Sequence, residues 1–305
     1  MPQRLVNWQK TFLQVHGLQE SYLQHAQKWF DPLATSLITF QANAGVPILV
    51  ALNGAQGSGK STLAGYLVAS LNSSHNVSTV ALSLDDFYYT HSQRVHLAQT
   101  VHPLLLTRGV PGTHDLKLLN ATLDSLMDVS RDSTISIPRF DKARDDRRAQ
   151  SDWGSVNSPV DVVIIEGWCM GARAQLEQQL VAPANALEAE QDQDRRWRCH
   201  VNDVLAEQFP PLYRRVDQWV MLQAPSFECV YRWRLEQERK LADRTLPDSD
   251  LKLMSGADIA RFIQYYQRIT QQCLVDLPST VNHLFRLGEE RDIVDYTYSA
   301  RGDSG

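Results

Sequence analysis

A glycine-rich loop between a short apolar run and a helical pattern constrains the fold of this chain more than any other feature. The run Val46–Leu52 leads into the sequence GAQGSGKS, which matches the pattern GxxxxGK[ST]. A continuous apolar run that ends in glycine is typical of a buried parallel strand, and apolar residues recur at helical spacing after Lys60. Backbone N–H groups of such a strand–loop–helix unit can converge on phosphate oxygens. The sequence therefore predicts a phosphate-binding loop at one end of an α/β sheet.

Each chemical group of this loop has an expected task. The helix that begins near Lys60 adds the partial positive charge of its N-terminus, the Lys60 ammonium reaches the β and γ phosphates, and the Ser61 hydroxyl binds Mg²⁺. The alternative is a chance glycine-rich turn, which would not require strand, loop and helix in this order. The expected ATP-binding residues are Gly54, Ala55, Gln56, Gly57, Ser58, Gly59, Lys60, Ser61 and Thr62.

Apolar runs alternate with helical patterns along the rest of the chain. The alternation predicts a three-layer α/β fold, a mostly parallel sheet with helices on both faces. A helical N-terminal extension over 1–44 and a polar helical insertion over 181–215 are expected, within a single domain of 305 residues. The further candidate strands are Ser78–Leu84, Ile135–Arg139, Asp161–Glu166 and Gln218–Gln223, and the candidate helices include Leu116–Asp128 and one that starts after Ser255.

Composition and charge argue against several classes of protein. The chain carries 30 Lys and Arg against 35 Asp and Glu, a net charge of −5, whereas a dedicated nucleic-acid binder usually has a basic face. Its longest apolar runs are far shorter than the ~20 residues that span a bilayer. Its four cysteines lack metal-site or disulfide spacing, and the N-terminus has no signal-like apolar core. We expect a cytoplasmic protein without nucleic-acid or membrane partners, whose oligomeric state has no signature in the sequence.

Carboxylates end two of the predicted strands. Glu166 follows four apolar residues of one strand, and Asp85 and Asp86 follow another. Ligands of such sheets bind at the carboxyl ends of the strands, so Glu166 and Asp85 are expected to join Ser61 at Mg²⁺. Phosphoryl transfer to an alcohol also needs a carboxylate that accepts the hydroxyl proton, which Asp85 could provide. The alternatives are a solvated Glu166 and a capping role for Asp85 or Asp86.

Basic residues crowd two segments expected at the same edge of the sheet, Arg108–Asp115 and Pro138–Arg147. Such groups suit a small anionic acceptor whose carboxylate is held by arginine. The alternative is a solvated cluster, paired internally through Asp141, Asp145 and Asp146. The expected acceptor-binding residues are Asp86, Tyr88, Arg108, His114, Asp115, Arg139, Lys142 and Arg144.

An arginine-rich helix follows the last predicted strand. Residues 226–244 are expected to form a lid whose arginines neutralise charge on the transferred phosphoryl group. In the alternative, Arg232 and Glu236 form an i,i+4 pair on an exposed helix. The expected catalytic residues are Asp85, Lys60, Arg232, Arg234 and Arg239.

Taken in order, these motifs resemble the plant-type D-glycerate 3-kinases, part of a wider group of P-loop kinases with uridine kinase, pantothenate kinase and phosphoribulokinase. The resemblance runs from residue 47 to residue 295. The matching segments are GAQGSGKS, SLDDFYY, HPLLLTRGVPGTHD, PRFDKARDDR, DVVIIEGWCMGAR, NALEAEQD and YRWRLEQE.

The resemblance implies transfer of the ATP γ-phosphoryl group to the 3-hydroxyl of D-glycerate. It further implies that Asp85 is the acidic base, that Glu166 is the metal-linked carboxylate, and that the lid arginines are among Arg232, Arg234 and Arg239. The plant enzymes carry a transit peptide that has no counterpart here, which fits a bacterial or cytosolic protein. Other acceptors (a nucleoside, pantothenate or another sugar acid) are alternatives, as is a nucleotide-hydrolysing switch. A GTPase switch would be expected to contain Asn-Lys-x-Asp, which the sequence lacks.

Overall fold

A computed structural model describes residues 5–130, 132–244 and 255–300, with the backbone alone described at 238–244 and 257. The helices are α1 (Asn7–His16), α2 (Tyr22–Ala44), α3 (Lys60–Ser74), α4 (His91–Thr100), α5 (Leu116–Met127), α6 (Glu177–Val181), α7 (Ala186–Gln191), α8 (Arg196–Glu207), α9 (Phe209–Tyr213), α10 (Phe227–Arg244) and α11 (Gly256–Asp276). The strands are β1 (Ile48–Gly54), β2 (Thr79–Ser83), β3 (Ser133–Ile137), β4 (Phe140–Asp141), β5 (Asp146–Arg147), β6 (Gly154–Ser158), β7 (Val162–Gly167), β8 (Gln218–Gln223), β9 (His283–Leu287) and β10 (Ile293–Tyr298).

Six of these strands form one sheet in the order β10-β9-β8-β1-β7-β2. The five strands from β9 to β2 run parallel, and β10 pairs antiparallel with β9. One apolar cluster packs mainly α5, α8, α9 and α11 on one face, and another packs α1, α2, α3 and α10 on the other. Both faces are therefore covered, which is why β1 and β7 are continuous buried runs. The predicted three-layer α/β fold is confirmed.

Two features of the sheets differ from the sequence-based expectation. The expected strand Ile135–Arg139 is β3, which pairs antiparallel with β6 in a separate two-stranded sheet. Its serine-rich, mostly exposed residues cannot occupy a sheet covered on both faces, so its assignment to the parallel sheet was wrong. Strands β9 and β10 were not predicted, because polar residues interrupt their apolar pattern.

Helices surround the sheet where the amphipathic spacing predicts them. The Ser255 hydroxyl accepts a hydrogen bond from the Asp258 N–H at 3.1 Å, which confirms the expected start of α11. On α2, Asp31 accepts a hydrogen bond from the buried Tyr66 hydroxyl of α3 at 2.6 Å, so the N-terminal helices are tied to the helix after the phosphate-binding loop. Within the described ranges, no helix is both long and apolar enough to cross a membrane. That the whole chain forms one domain stays a prediction.

Candidate active site

The phosphate-binding loop joins β1 to α3, as predicted. Gly57 and Gly59 have φ angles of +81° and +92°, a region that side chains other than glycine rarely adopt. A Cβ atom at Gly57 would lie 2.8 Å from the Cβ atom of Trp233 on α10. The buried Ser58 hydroxyl oxygen has no hydrogen-bond partner among the described residues. The loop therefore curls tightly under α10 and leaves polar groups available to a ligand.

Glu166 lies at the carboxyl end of β7, where β7 pairs with β1 through Leu52. The Ser61 hydroxyl donates to Glu166 Oε1 at 2.8 Å, and Lys60 Nζ lies 3.9 Å from Oε2. Glu166 is 6% exposed, and its Oε2 atom is buried without a hydrogen-bond partner in the described part of the chain. Because Mg²⁺ prefers oxygen ligands, a buried carboxylate with an unsatisfied oxygen beside a hydroxyl group fits this ion.

Asp85 lies one strand further along the same edge, in the 3₁₀ turn Leu84–Phe87 that follows β2. Its Oδ1 atom accepts a hydrogen bond from the Tyr88 hydroxyl at 2.8 Å, and its Oδ2 atom accepts one from Lys142 Nζ at 2.7 Å. Burial acts to raise the pKa of Asp85, but the charges of Lys142 and Lys60 and these two hydrogen bonds outweigh it. The pKa lies well below its usual value, so the carboxylate is ionised at neutral pH.

Asp86 faces a different partner from its neighbour. It accepts a hydrogen bond from Arg139 Nη1 at 2.7 Å and from the Phe140 N–H at 3.0 Å. These contacts hold the β4–β5 hairpin against the end of β2, and the same hairpin carries Lys142 and the exposed Arg144. Asp86 and Arg139 thus fix the position of Lys142 relative to Asp85.

Other members of the predicted acceptor site are also paired. Arg108 forms an ion pair with Asp145 and lies over the Phe140 ring, 5.5 Å from its centroid. Asp115 caps α5 by accepting from the Leu118 N–H at 3.0 Å, and it accepts from Arg147 Nη2 at 3.1 Å. Internal pairing of this cluster, the alternative raised from the sequence, therefore occurs in this structure, and acceptor contacts by these residues stay a prediction.

Arg94 anchors the same loops, and its role was not predicted from the sequence. Its guanidinium is fully buried and donates to the backbone carbonyls of Leu106 at 2.6 Å and Asp145 at 2.5 Å. Arg94 lies in the polar helix α4, whose sequence gives no apolar periodicity from which its burial could have been inferred. It connects the segment before Arg108 to the β4–β5 hairpin.

His114 is buried beside Tyr88, the residue whose hydroxyl donates to Asp85. It is 1% exposed and stacks on Tyr88 with ring centroids 4.5 Å apart. Neither imidazole nitrogen has a hydrogen-bond partner among the described residues. Burial lowers the pKa of His114 from its ordinary 6.5 to about 4, although the nearby Asp85 charge acts to raise it. His114 is therefore neutral at neutral pH.

We expect His114→Phe to make the protein less sensitive to acid. The pKa of His114 is about 4 in the folded protein and 6.5 in the unfolded chain. As the pH falls from 6.5 to 4, the unfolded chain binds a proton at His114 that the folded protein does not, so the free energy of unfolding decreases. The 2.5-unit difference corresponds to about 3 kcal/mol. Denaturant unfolding at pH 7 and pH 4 should show that the variant loses about 3 kcal/mol less than the wild-type protein. An equal loss in both proteins would contradict this assignment.

The lid arginines differ in where they lie on α10. Arg232 is half exposed and pairs with Glu289 in the turn between β9 and β10 at 2.8 Å. Arg234 lies over the Phe262 ring, 5.9 Å from its centroid. The Phe262 ring packs edge-on against Tyr266, with ring centroids 5.0 Å apart, so Arg234 faces α11 and not the β9–β10 turn. The side chain of Arg239 lies outside the described residues.

A second group of potential metal ligands lies away from this site. His102, Asp192 and Asp194 offer ligand atoms within 4.8 Å of one another. However, His102 Nδ1 accepts a hydrogen bond from the Leu104 N–H at 3.2 Å, so its proton is on Nε2, the atom facing Asp192. Asp192 accepts hydrogen bonds from Trp197 and Arg198. In this structure Asp192 therefore caps the N-terminal end of α8.

Comparison with known proteins agrees with this geometry. No family model matches the chain. It is 36% identical over 235 residues to the uncharacterized kinase mug58 of Schizosaccharomyces pombe, a match that covers 73% of this chain and 79% of that protein. It is 30% identical over 199 residues to the chloroplastic D-glycerate 3-kinase of Arabidopsis thaliana, covering 63% of this chain and 41% of that protein.

A solved structure is similar over most of its length. The D-glycerate 3-kinase from Cryptococcus neoformans superposes with a TM-score of 0.72 at 27% identity, covering 88% of this chain and 99% of that one. The phosphate-binding loop, the parallel sheet and these similarities together define an ATP-dependent phosphotransferase with the P-loop kinase fold. The chain belongs to the D-glycerate 3-kinase family, which confirms the resemblance seen in the sequence.

Proposed function

We propose that this protein transfers the γ-phosphoryl group of ATP to the 3-hydroxyl of D-glycerate, giving ADP and 3-phosphoglycerate. The observation that carries the proposal is the ionised Asp85, which is held by Lys142 at the strand edge that also bears the phosphate-binding loop. A carboxylate in this position can accept the proton of an alcohol, and the lysine beside it can attract an acceptor that is itself an anion. Similarity to two proteins named D-glycerate 3-kinase supports this acceptor.

In this proposal the triphosphate lies on the residues from Gly54 to Thr62, whose N–H groups and Lys60 neutralise its charge. Ser61 and Glu166, with Asp85 nearby, would hold Mg²⁺ through oxygen, and the ion would supply positive charge to offset the charge that develops during transfer. Lys60, whose Nζ lies 3.9 Å from Glu166 Oε2, would contact the transferred phosphate.

The acceptor carboxylate competes with Asp85 for Lys142. In the structure the Lys142 ammonium is neutralised by Asp85 at 2.7 Å, and 62% of the Lys142 side chain is exposed. When a carboxylate shares this ammonium, Asp85 is freed to orient the 3-hydroxyl and accept its proton. We assign Lys142 and Arg108 to the carboxylate, and Tyr88 and His114 to the floor beneath the acceptor. Asp86, Asp115 and Arg139 hold the loops in position, and Arg144 adds positive charge at the exposed rim.

The acceptor can be tested by measuring ADP formation with a panel of alcohols. We expect kcat/KM for D-glycerate to exceed that for L-glycerate, uridine and pantothenate by at least about 100-fold, because an unpaired charge or a missing contact in a buried polar site is strongly rejected. Lys60→Ala, which disables the phosphate-binding loop, should abolish turnover with every acceptor and so serves as the background control. Faster turnover of another alcohol would contradict D-glycerate as the acceptor while leaving the class of enzyme intact.

A further inference from the structure

A cavity of about 350 Å³ adjoins the phosphate-binding loop, and none of the acceptor-side residues described above lines it. Its size falls within the range of small-molecule sites, about 300–1,000 Å³. Gly57, Ser58 and Gly59 of the loop and Thr62 of α3 line part of it. Most of the other lining residues come from two parts of the chain far apart in sequence, the N-terminal segment Leu18–Phe30 and the β9–β10 hairpin.

The position of this cavity matches the nucleoside end of a bound nucleotide. If the triphosphate lies on the loop with its γ-phosphate toward Asp85, the ribose and base must leave the loop on another side. Thr62, at the α3 end of the loop, lines the cavity, so the cavity begins directly beside the groups expected to bind the phosphates. Leu287 and Ile293 of the hairpin and Phe30 of α2 provide apolar surface, which suits the flat faces of a base.

The N-terminal segment contributes aromatic and polar groups to this wall. The rings of Tyr22 and His25 lie 5.5 Å apart, and His25 meets Phe30 edge-on at 6.0 Å. Phe30 packs in turn against Tyr66 of α3 at 5.5 Å, and Asp31 is hydrogen-bonded to the same tyrosine. The segment is thus fixed to the helix that carries Lys60, Ser61 and Thr62, and its distance from the loop is defined.

His25 is the group on this wall that can distinguish one base from another. Burial lowers its pKa, with Asp292 acting to raise it and Lys28 to lower it further, so the imidazole is neutral at neutral pH. A neutral imidazole has one acceptor nitrogen, which can accept a hydrogen bond from the N6 amino group of adenine, where guanine carries the acceptor O6 instead. Glu290 and Arg291 line the same cavity, and Arg291 is paired with Glu236 of α10.

We propose that the segment Leu18–Phe30 is the base-recognition wall of the nucleotide site, in which Tyr22 is a stacking surface and His25 hydrogen-bonds an edge of adenine. The preference for ATP over other nucleoside triphosphates is then determined by residues upstream of the phosphate-binding loop. This proposal rests on the proposed function only in taking ATP as the phosphoryl donor.

The test measures binding of ATP and GTP to the full-length protein by calorimetry, without any acceptor. His25→Ala should raise the Kd for ATP about tenfold and reduce the ratio of GTP to ATP Kd values toward one, since the lost contact is specific to the base edge. Tyr22→Leu keeps apolar volume but removes the ring, and should weaken ATP and GTP equally, by about tenfold. The matched control is His75→Ala, an exposed histidine at the end of α3, which should leave both Kd values unchanged.

Unfolding midpoints of the variants show whether weaker binding comes from a lost contact or from a lost fold. If His25→Ala does not fold, His25→Gln is the milder replacement. Wild-type Kd values and an unchanged GTP to ATP ratio in folded Tyr22 and His25 variants would overturn the proposal. Because no acceptor is present, failure of D-glycerate as a substrate would leave this result unaffected, and the two proposals can fail separately.

Discussion

Asp85→Asn is expected to lower kcat by about 10³-fold, within the range that positioned general bases contribute, and to leave the Kd for ATP within about twofold. The asparagine keeps the shape of the side chain: its amide oxygen can still accept from Lys142 and its amide N–H can donate to the Tyr88 hydroxyl oxygen. It cannot take a proton from the acceptor hydroxyl. The loss should therefore appear in the chemical step and not in binding. Single-turnover kinetics and calorimetry with Mg²⁺ and ATP measure the two quantities separately.

The adjacent carboxylate provides the control for this experiment. Asp86→Asn weakens the contacts to Arg139 and Phe140 that hold the β4–β5 hairpin, so it should raise KM for the acceptor and lower stability with a much smaller effect on kcat. If Asp85→Asn instead raised the Kd for ATP by the same factor by which it lowered kcat, Asp85 would be chiefly a metal ligand. Equal kcat losses in the two variants would contradict the assignment of the base to Asp85.

Arg234→Ala is expected to lower kcat by at least about 10³-fold, whereas Arg232→Ala should change it by less than about threefold. Arginines that neutralise a transferring phosphoryl group contribute factors of about 10³–10⁵. The two residues share one helix, yet Arg232 is directed to Glu289 and Arg234 lies over Phe262, which packs against Tyr266. Steady-state kcat with saturating ATP and acceptor measures the difference.

The comparison within one helix also controls for damage to α10. Both substitutions place alanine in the same helix, so a general loss of helix structure would affect both variants. Arg234→Lys should recover part of the activity, because it restores the charge without the planar fork of donors. A larger kcat loss in Arg232→Ala than in Arg234→Ala would mean that α10 presents the opposite face to the phosphates.

The sequence could predict the four strands from β8 to β2 but not β9 and β10 at the other edge of the sheet. Strands β1 and β7 are covered on both faces, so nearly all of their residues must be apolar. Such a continuous apolar run can be recognised from the sequence alone. β9 and β10 combine apolar and polar positions, and β3 is exposed, so their partners are determined by tertiary contacts. The assignment of β3 to the parallel sheet failed for this reason.

The candidate site was predictable where its residues are adjacent in sequence. Lys60 and Ser61 follow from one motif, and Asp85 and Glu166 from the ends of strands whose order places them side by side. The pairing of Asp85 with Lys142 joins residues 57 positions apart, and the contact of Trp233 with Gly57 joins α10 to the phosphate-binding loop. The spacing of residues along the chain cannot predict these contacts, because they depend on how separate helices, strands and loops pack against one another.

The central claim is that the γ-phosphoryl group reaches the 3-hydroxyl of D-glycerate, and phosphorus NMR of the completed reaction tests it most directly. With limiting ATP and excess D-glycerate, the account predicts one equivalent of 3-phosphoglycerate for each ADP, with the phosphorus coupled to the two hydrogens on C3. ADP accompanied by free inorganic phosphate, or by phosphate on the 2-hydroxyl, would contradict it.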